Sequence, residues 1–538
     1  MTFCYFVRLN FSSARLLLIL ILFGIWVPSA ISQTNSSQQN ETELDLIIRG
    51  NSGAQTPFWL EHNRYDLIPD RPGGQLGFRF QERMHLDRDT RLLLGAELYG
   101  RTDGAFLDRP IHQAYLGLNY QNLLLTIGKR EETVGIVHQG LSAGPTIWSG
   151  NARTMPKVKL ELTEFSPLPF TDEWVSVKGG ISHGWFDSER EVENFYLHEK
   201  YAYLQVGKRP WPQAYVGLIH MAQWGGYDNR KYGALPERFS DYMRIFFARA
   251  GDERSPEGWQ VNKIGNHVGA WQAGIHYEIG HMEFLVNRSA IFEDGSGFTL
   301  RSPEDGLWGI NVRHWHSGAG SDSAPGLGGG VFGPGLGSGS GLLGSGSPRS
   351  GLAELNSGSY SASGSAETIS YTSFIWEFWH TKTQTSPGLH VPPEEWEGDP
   401  HYDDQGHRFG GQDNYFNHGV YQAWSYHNRI LGVPLITLDP SINRVVNNRL
   451  IAHHLGLEHR RGAFKVWGTW TWSKNYGTYE FPYEERIYQQ SLLIGVAQAL
   501  DSWIELPVTM SLEAGLDRGD LVGNRSGILV SLVYRILQ

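Results

Sequence analysis

The chain has 538 residues and a formal net charge of −11, from 45 basic and 56 acidic side chains. That balance excludes a polyanion-binding surface of the nucleic-acid type, which needs a basic footprint. The single cysteine, Cys4, lies at the extreme N-terminus, so the remainder has no thiol chemistry, no disulfide framework and no cysteine-ligated metal.

In chain order, the first element is an export signal. Arg8 and Arg15 flank the apolar run Leu16–Val27 (LLLILILFGIWV), and Ala30-Ile31-Ser32 offers small residues at a cleavage spacing. Residues 1–32 are therefore read as a signal peptide and 33–538 as one mature domain. Cys4 precedes the apolar run, where a lipoprotein cysteine would follow it. After the signal no run approaches about 18 consecutive apolar residues, so no transmembrane helix is expected. A membrane remains open as an environment, because a spanning barrel strand needs only about 9–11 residues with alternate ones apolar.

The dominant period downstream is two. Arg91–Tyr99 (RLLLGAELY) places Leu92, Leu94, Ala96 and Leu98 on one face, and Val508–Leu516 (VTMSLEAGL) repeats the pattern. Ser526–Leu537 sets Ile528, Val530, Leu532, Tyr534 and Ile536 against Ser531 and Arg535. Ala114–Tyr120 and Leu123–Lys129 are separated by Gln121-Asn122 alone, the spacing of a tight hairpin. The second face carries charge and glycine instead of another apolar set, which suits a polar barrel lumen better than a sandwich core. Tyr99, Tyr115, Tyr120, Trp470, Trp472 and Tyr534 sit near segment ends, as interfacial girdles would place them. The expected fold class is all-β, an outer-membrane antiparallel barrel; about 16–18 strands of about ten residues leave a large allowance for loops.

Two segments account for part of that allowance. Residues 317–365 are Gly/Ser-rich and read as a disordered loop. The strand-like strings DGLWGINVRHWH and ISYTSFIWEFWHT flank it, so it is an insertion within one domain. The stretch 384–412 holds Glu394, Glu395, Glu397, Asp399, Asp403 and Asp404 at spacings that match no calcium loop, and reads as a solvated loop.

Several short strings stand in order along the chain. They include Pro57-Phe58-Trp59-Leu60, Asn63-Arg64-Tyr65, Leu141-Ser142-Ala143-Gly144, Ser149-Gly150-Asn151-Ala152 and His183-Gly184-Trp185-Phe186. Further on come Tyr196-Leu197-His198-Glu199-Lys200, Trp224-Gly225-Gly226, Gly265-Asn266-His267, Phe292–Gly297, Asp305–Gly309 and Asp413–Asn417. The ordered set resembles the capsule assembly Wzi family in its Bacteroidetes-type form, from about Leu44 to the C-terminus. The resemblance implies an 18-stranded barrel with a small helical plug at the periplasmic end and long outer loops. It also implies a lectin-like role, not an enzymatic one, in holding capsular polysaccharide at the cell surface. The Gly/Ser-rich insertion departs from the family pattern.

Glycan recognition uses aromatic faces and polar side chains, which makes Trp185, Trp224, Trp308, Tyr421 and Trp424 the candidate glycan-binding residues. His183, His198 and His220, with Glu199, are candidates to converge inside the barrel, and His314 and His316 would share a strand face. Structural hydrogen bonding is the favoured reading for these histidines, and no metal, cofactor or catalytic residue is assigned. The acidic strings at Asp294 and Asp305 read as turns, with glycosidic acid–base chemistry as the competing role. The expected partners are capsular or exopolysaccharide and outer-membrane lipid, with no nucleic acid, and the expected state is a monomer. A porin passing small solutes or sugars is the alternative function, and a secreted glycan hydrolase a third.

Overall fold

The computed structural model describes residues 41–102, 110–188, 190–261, 263–293, 298–300, 302–316, 370–384, 414–501 and 506–537. The expected signal peptide, the Gly/Ser-rich segment, the acidic stretch from 385 to 412, Asp294 and Asp413 lie outside the described residues.

Strands follow from the period-two segments. They are β1 Glu41–Ser52, β2 Gly73–His85, β3 Thr90–Arg101, β4 Ile111–Tyr120, β5 Leu123–Lys129 and β6 Pro156–Leu162. Next come β7 Val175–Trp185, β8 Tyr196–Val206, β9 Gln213–Trp224, β10 Asn266–Ile279, β11 Met282–Phe292 and β12 Gly306–Trp315. The last six are β13 Ser370–His380, β14 Leu450–Arg461, β15 Phe464–Gly477, β16 Pro482–Ala499, β17 Val508–Gly519 and β18 Arg525–Leu537. Each pairs antiparallel with its sequence neighbours, and β1 pairs with β18 from Leu44↔Leu537 to Ser52↔Ile528, so the sheet closes on itself. Closure leaves no sheet edge, the condition for a strand structure in lipid. A two-residue strand, Ser166–Pro167, adds to the same sheet beside β7.

The expected hairpin is β4–β5, turned at Gln121 in a left-handed conformation (φ 51°). Alternation places Leu123, Leu125 and Ile127 outward, while Leu124 and Thr126 are buried. The same outward stripe continues around the wall through Ile181, Val216, Ile275, Val286, Phe374, Leu512 and Ile528, all exposed. That is the apolar belt a membrane covers.

Both described ends of the chain, Glu41 and Leu537, lie at the end of the barrel with the short turns, such as 121–122, 280–281 and 462–463. In barrels of this class that end faces the periplasm. β12 ends and β13 begins at this end as well. The long connections, 53–72, 130–155, 225–265 and 381–449, all leave the opposite end.

Glycine within strands has a packing reason. Gly77 pairs with Tyr99, Gly95 with Tyr115, and Gly217 with Tyr203, and each ring lies over the neighbouring glycine. A Cβ on Gly217 would stand 2.0 Å from the Tyr203 ring. Tyr99 and Tyr115 therefore point into the lumen and belong to no girdle. The outward aromatic band near the outer end is instead Trp185, Trp308, Trp376, Phe378 and Trp472 with Tyr488.

Candidate functional site

Three of the long connections fold back into the lumen as a plug. In the first, helix α1 (Phe58–Glu61) turns the chain so that Trp59 Nε1 donates to Thr471 Oγ1 (2.9 Å) and the Phe58 N–H to Asp517 (2.8 Å). Arg64 forms a bidentate pair with Glu513 of β17, with Nη1 at 3.1 Å and Nη2 at 2.5 Å. In the second, 130–155, the Ser142 hydroxyl and the Ala143 N–H both donate to Glu377 of β13. The third, 414–449, packs Tyr421, Trp424, Ile430, Leu431 and Val433 against Ile147, Trp148, Phe186 and Phe195, all buried. Asn63 Nδ2 donates to the Ala143 carbonyl (2.7 Å), and Asn151 Nδ2 to the Ile430 carbonyl (3.0 Å), tying the three segments together.

The helical plug expected at the periplasmic end is not what fills the barrel. Among the described residues the filling is mostly irregular chain entering from the outer end. The helices with described bounds are α1, α2 (Phe239–Phe246) and α3 (Glu257–Val261), all within outer-end connections, while Asp501, in the short-turn-end connection after β16, is also helical. A lumen lined with charge can anchor loops by ion pairs and amide bonds, so regular helix is not needed to satisfy their backbone.

The wall beneath the plug is polar and charge-compensated. Lys157 bonds Glu199 (2.6 Å), Lys159 bonds Glu132 (2.8 Å), and Arg79 bonds Glu97 (3.2 Å). Burial pushes the Glu132 carboxyl up, but Lys157 and Lys159 outweigh it and hold the group well below the usual carboxylate range. Burial, with Arg313 nearby, holds the plug residue His138 down at about 4. Two clusters bring three possible ligand atoms close together: Glu97, His112 and Glu131, and His276, Glu278 and Glu283. Arg79 meets the first, Arg209 and Arg313 the second, so each is already an ion-pair network.

The five candidate aromatics divide among three places. Tyr421 (1% exposed) and Trp424 (0%) meet in the plug core. The Trp424 Nε1 donates to the Ile147 carbonyl (3.0 Å), and Tyr421 stacks on Trp259 with ring centroids 5.8 Å apart. Trp185 and Trp308 face outward on β7 and β12, at 41% and 46% exposure, in the aromatic band. Trp224 is buried on the outward side of β9, against Tyr196 and Tyr242. The five do not converge on one surface.

The histidine expectation is corrected by strand alternation. Neighbouring residues point to opposite faces, so Glu199 enters the lumen while His198 faces out. His198, His220 and His267 meet on the outside of β8–β10, covered by α2. Tyr242 and Phe246 lie 5.4 and 5.3 Å from the His198 ring. His220 and His267 share a hydrogen bond (2.8 Å), and His267 donates to the Ile264 carbonyl (2.8 Å). The 225–265 connection is thus a strap over the outer wall. His183 also faces out, between Trp185 and Tyr196. His316, beside His314 at the short-turn end, bonds Thr372 (2.9 Å).

Asp305 accepts from four donors: His380 Nδ1 (2.7 Å), the Thr383 N–H (3.1 Å), the Gln384 N–H (2.5 Å) and the Tyr415 hydroxyl (3.1 Å). Both carboxylate oxygens are engaged in pinning the plug to the end of β13, through partners 75 to 110 residues away and not the local bonds a turn would supply, although Gly306 has the positive φ (120°) of a turn.

Sequence reasoning missed one surface. The outer hairpin around Lys474–Arg486 reads KNYGTYEFPYEER. The Arg449 guanidinium lies 3.8 Å over the Tyr479 ring, and Lys382 lies 5.1 Å over Tyr476. Phe481 at the turn is exposed. This rim of aromatic faces and cations stands at the outer mouth; the aromatic density of the string was its sequence signal.

The sequence profile of the family described as "Capsule assembly protein Wzi" matches residues 63–322. The comparison with curated protein sequences gave no match. Among solved structures, the chain is similar to Wzi of Escherichia coli, described as an outer-membrane protein involved in group 1 capsule assembly and a carbohydrate-binding β-barrel. That likeness has a TM-score of 0.51 at 12% identity and covers 92% of this chain and 85% of that one. OpdL of Pseudomonas aeruginosa is matched with a TM-score of 0.42 at 8% identity, covering 93% and 99%. Closure, the apolar belt and the family match agree on an outer-membrane location. The match over residues 63–322 places that segment of the chain in the capsule assembly Wzi family.

Proposed function

We propose that the protein is a non-enzymatic, lectin-like barrel that binds and anchors capsular or exopolysaccharide at the cell surface. The observation that carries this reading is the plug. Three connections occupy the lumen with a common apolar core and are bonded to the wall at Thr471, Glu377, Glu513 and Asp517. A solute-passing porin needs a continuous aqueous path, and a core of this kind opposes one. The family match and the carbohydrate-binding description of the E. coli barrel support the choice of ligand. The Tyr476–Tyr479–Phe481 rim supplies faces on which sugar rings stack, with Lys382 and Arg449 beside them for acidic groups.

The test is binding of the purified mature protein to the surface polysaccharide of its own source, together with conductance in a planar bilayer. Polysaccharide binding with no steady conductance is expected. Steady open-channel conductance without polysaccharide binding would favour the porin instead.

A further inference from the structure

Between the plug and the short-turn end lies a cavity of about 90 Å³, room for roughly six to nine waters or one hexose-sized ring. Its plug side is formed by Trp59 and Asn63, and its wall side by Arg49, Trp467, Thr469 and Ser511. Trp467, Thr469 and Ser511 lie within the first six residues of β15 and β17, both of which begin at the short-turn end. Along β15 and β17 the cavity thus reaches into the periplasmic half of the lumen, while Arg49, the ninth of the twelve residues of β1, stands nearer the outer end, and the plug closes the cavity on its outer side.

Its polar groups are unusual in being unmatched. Arg49 is 6% exposed, and its Nη1 has no hydrogen-bond partner. Among the described residues no carboxylate pairs with it; its guanidinium lies 5.2 Å over the Tyr99 ring. The other charges lining the cavity are matched, Arg64 by Glu513 and Lys465 by Glu458 (2.8 Å). Asn63 Oδ1, Thr469 Oγ1 and Ser511 Oγ are also buried without partners. A buried polar group is costly unless bonded, and a buried charge more so unless paired. Four such groups facing one space beside two indoles describe a receptor for a ligand with hydroxyls, apolar ring faces and one negative charge.

We propose that this cavity binds one acidic sugar unit, of the hexuronate class, presented from the periplasmic side. Its carboxylate meets Arg49, its hydroxyls bond Asn63, Thr469 and Ser511, and a ring face lies against Trp59 or Trp467. The inference rests on the polysaccharide-binding reading above and narrows it: the chain would be gripped from within the barrel and would carry uronate groups. Arg49 acts as the specificity-determining residue, since a neutral sugar leaves its charge unmatched.

The test uses the full mature protein in detergent, with tryptophan fluorescence and calorimetry as readouts. The probes are a galacturonate trisaccharide, a glucuronate-containing oligosaccharide, a neutral glucan trisaccharide and the purified surface polysaccharide. Wild type should bind at least one acidic oligomer at least tenfold more tightly than the neutral one. Arg49→Gln should lose that preference, and Arg49→Lys should retain part of it. Unchanged band shift on boiling and unchanged circular dichroism would show that the variants fold. Failure of both acidic oligomers to bind wild type, or equal binding by Arg49→Gln, would overturn the proposal. If the surface polysaccharide still binds wild type in that event, only this cavity is refuted. Failure of the polysaccharide itself to bind would remove the wider reading and this one with it.

Discussion

Trp424 separates two roles that its sequence context leaves open. As a sugar platform it would need an exposed face. In the structure it is fully buried, bonds the Ile147 carbonyl at 3.0 Å, and meets Trp148 and Phe186 edge-on at 6.5 Å. Trp424→Ala removes a large core side chain, which costs about 3–5 kcal/mol, and leaves a buried carbonyl unmatched at about 1–3 kcal/mol more. The core term alone shifts a local opening equilibrium by roughly 10²-fold to a few thousandfold, at about 1.4 kcal/mol per tenfold. The perturbed unit is the plug, because the wall ladder is untouched. Hydrogen exchange resolved over 53–72, 130–155 and 414–449 should therefore accelerate by that factor, while exchange in β14–β18 stays near wild type. Trp424→Phe keeps most of the apolar volume and should show a much smaller change. Bilayer recordings of Trp424→Ala should add transient openings to a silent background. Wild-type exchange in Trp424→Ala, coupled with lost polysaccharide binding, would refute this reasoning and restore Trp424 as a ligand contact.

Three further expectations follow from other parts of the molecule. His138 is buried in the plug and held at about 4, below its usual value near 6.5, by burial and Arg313; its neutral form is the folded one. That contribution is complete above pH 6.5 and is lost as pH falls toward 4, so plug exchange should rise over that window in wild type and less steeply in His138→Gln; identical pH profiles would contradict it. Gly217→Ala forces a Cβ to 2.0 Å from Tyr203 and should cost about 1–3 kcal/mol by overpacking, read as a lower temperature for the gel shift on heating; an unchanged temperature would mean that the ring moves freely. Phe239 and Phe247, at the two ends of α2 and exposed, should lie in the lipid interface. A dye on Phe239→Cys, in a chain whose one native cysteine, Cys4, is replaced by serine, should then be quenched by brominated acyl chains in proteoliposomes, and unquenched emission would place the strap in water.

How much of this was legible in the sequence depends on the range of the physics involved. Alternation is local, so β3, β17, β18 and the β4–β5 hairpin could be read from residues two apart, and with them the apolar belt. The same alternation, applied strictly, would already have turned His198 away from Glu199. The ordered strings identified the family, and the Asp305 turn was read as a turn. Three matters were settled only by the closed barrel. Which glycines the inward-facing Tyr99 and Tyr115 rings cover, Gly77 and Gly95, was set by register between neighbouring strands. Tyr421 and Trp424 became plug core because the 414–449 segment meets 130–155 only once the wall has brought their ends together. Helices α1 to α3 lie in outer-end connections, and which connections share an end was set by the closed ring of strands. Composition and period thus determined what each strand shows to lipid and to lumen, by contacts between near neighbours. What occupies the lumen, and which groups remain unmatched there, was decided by contacts hundreds of residues apart.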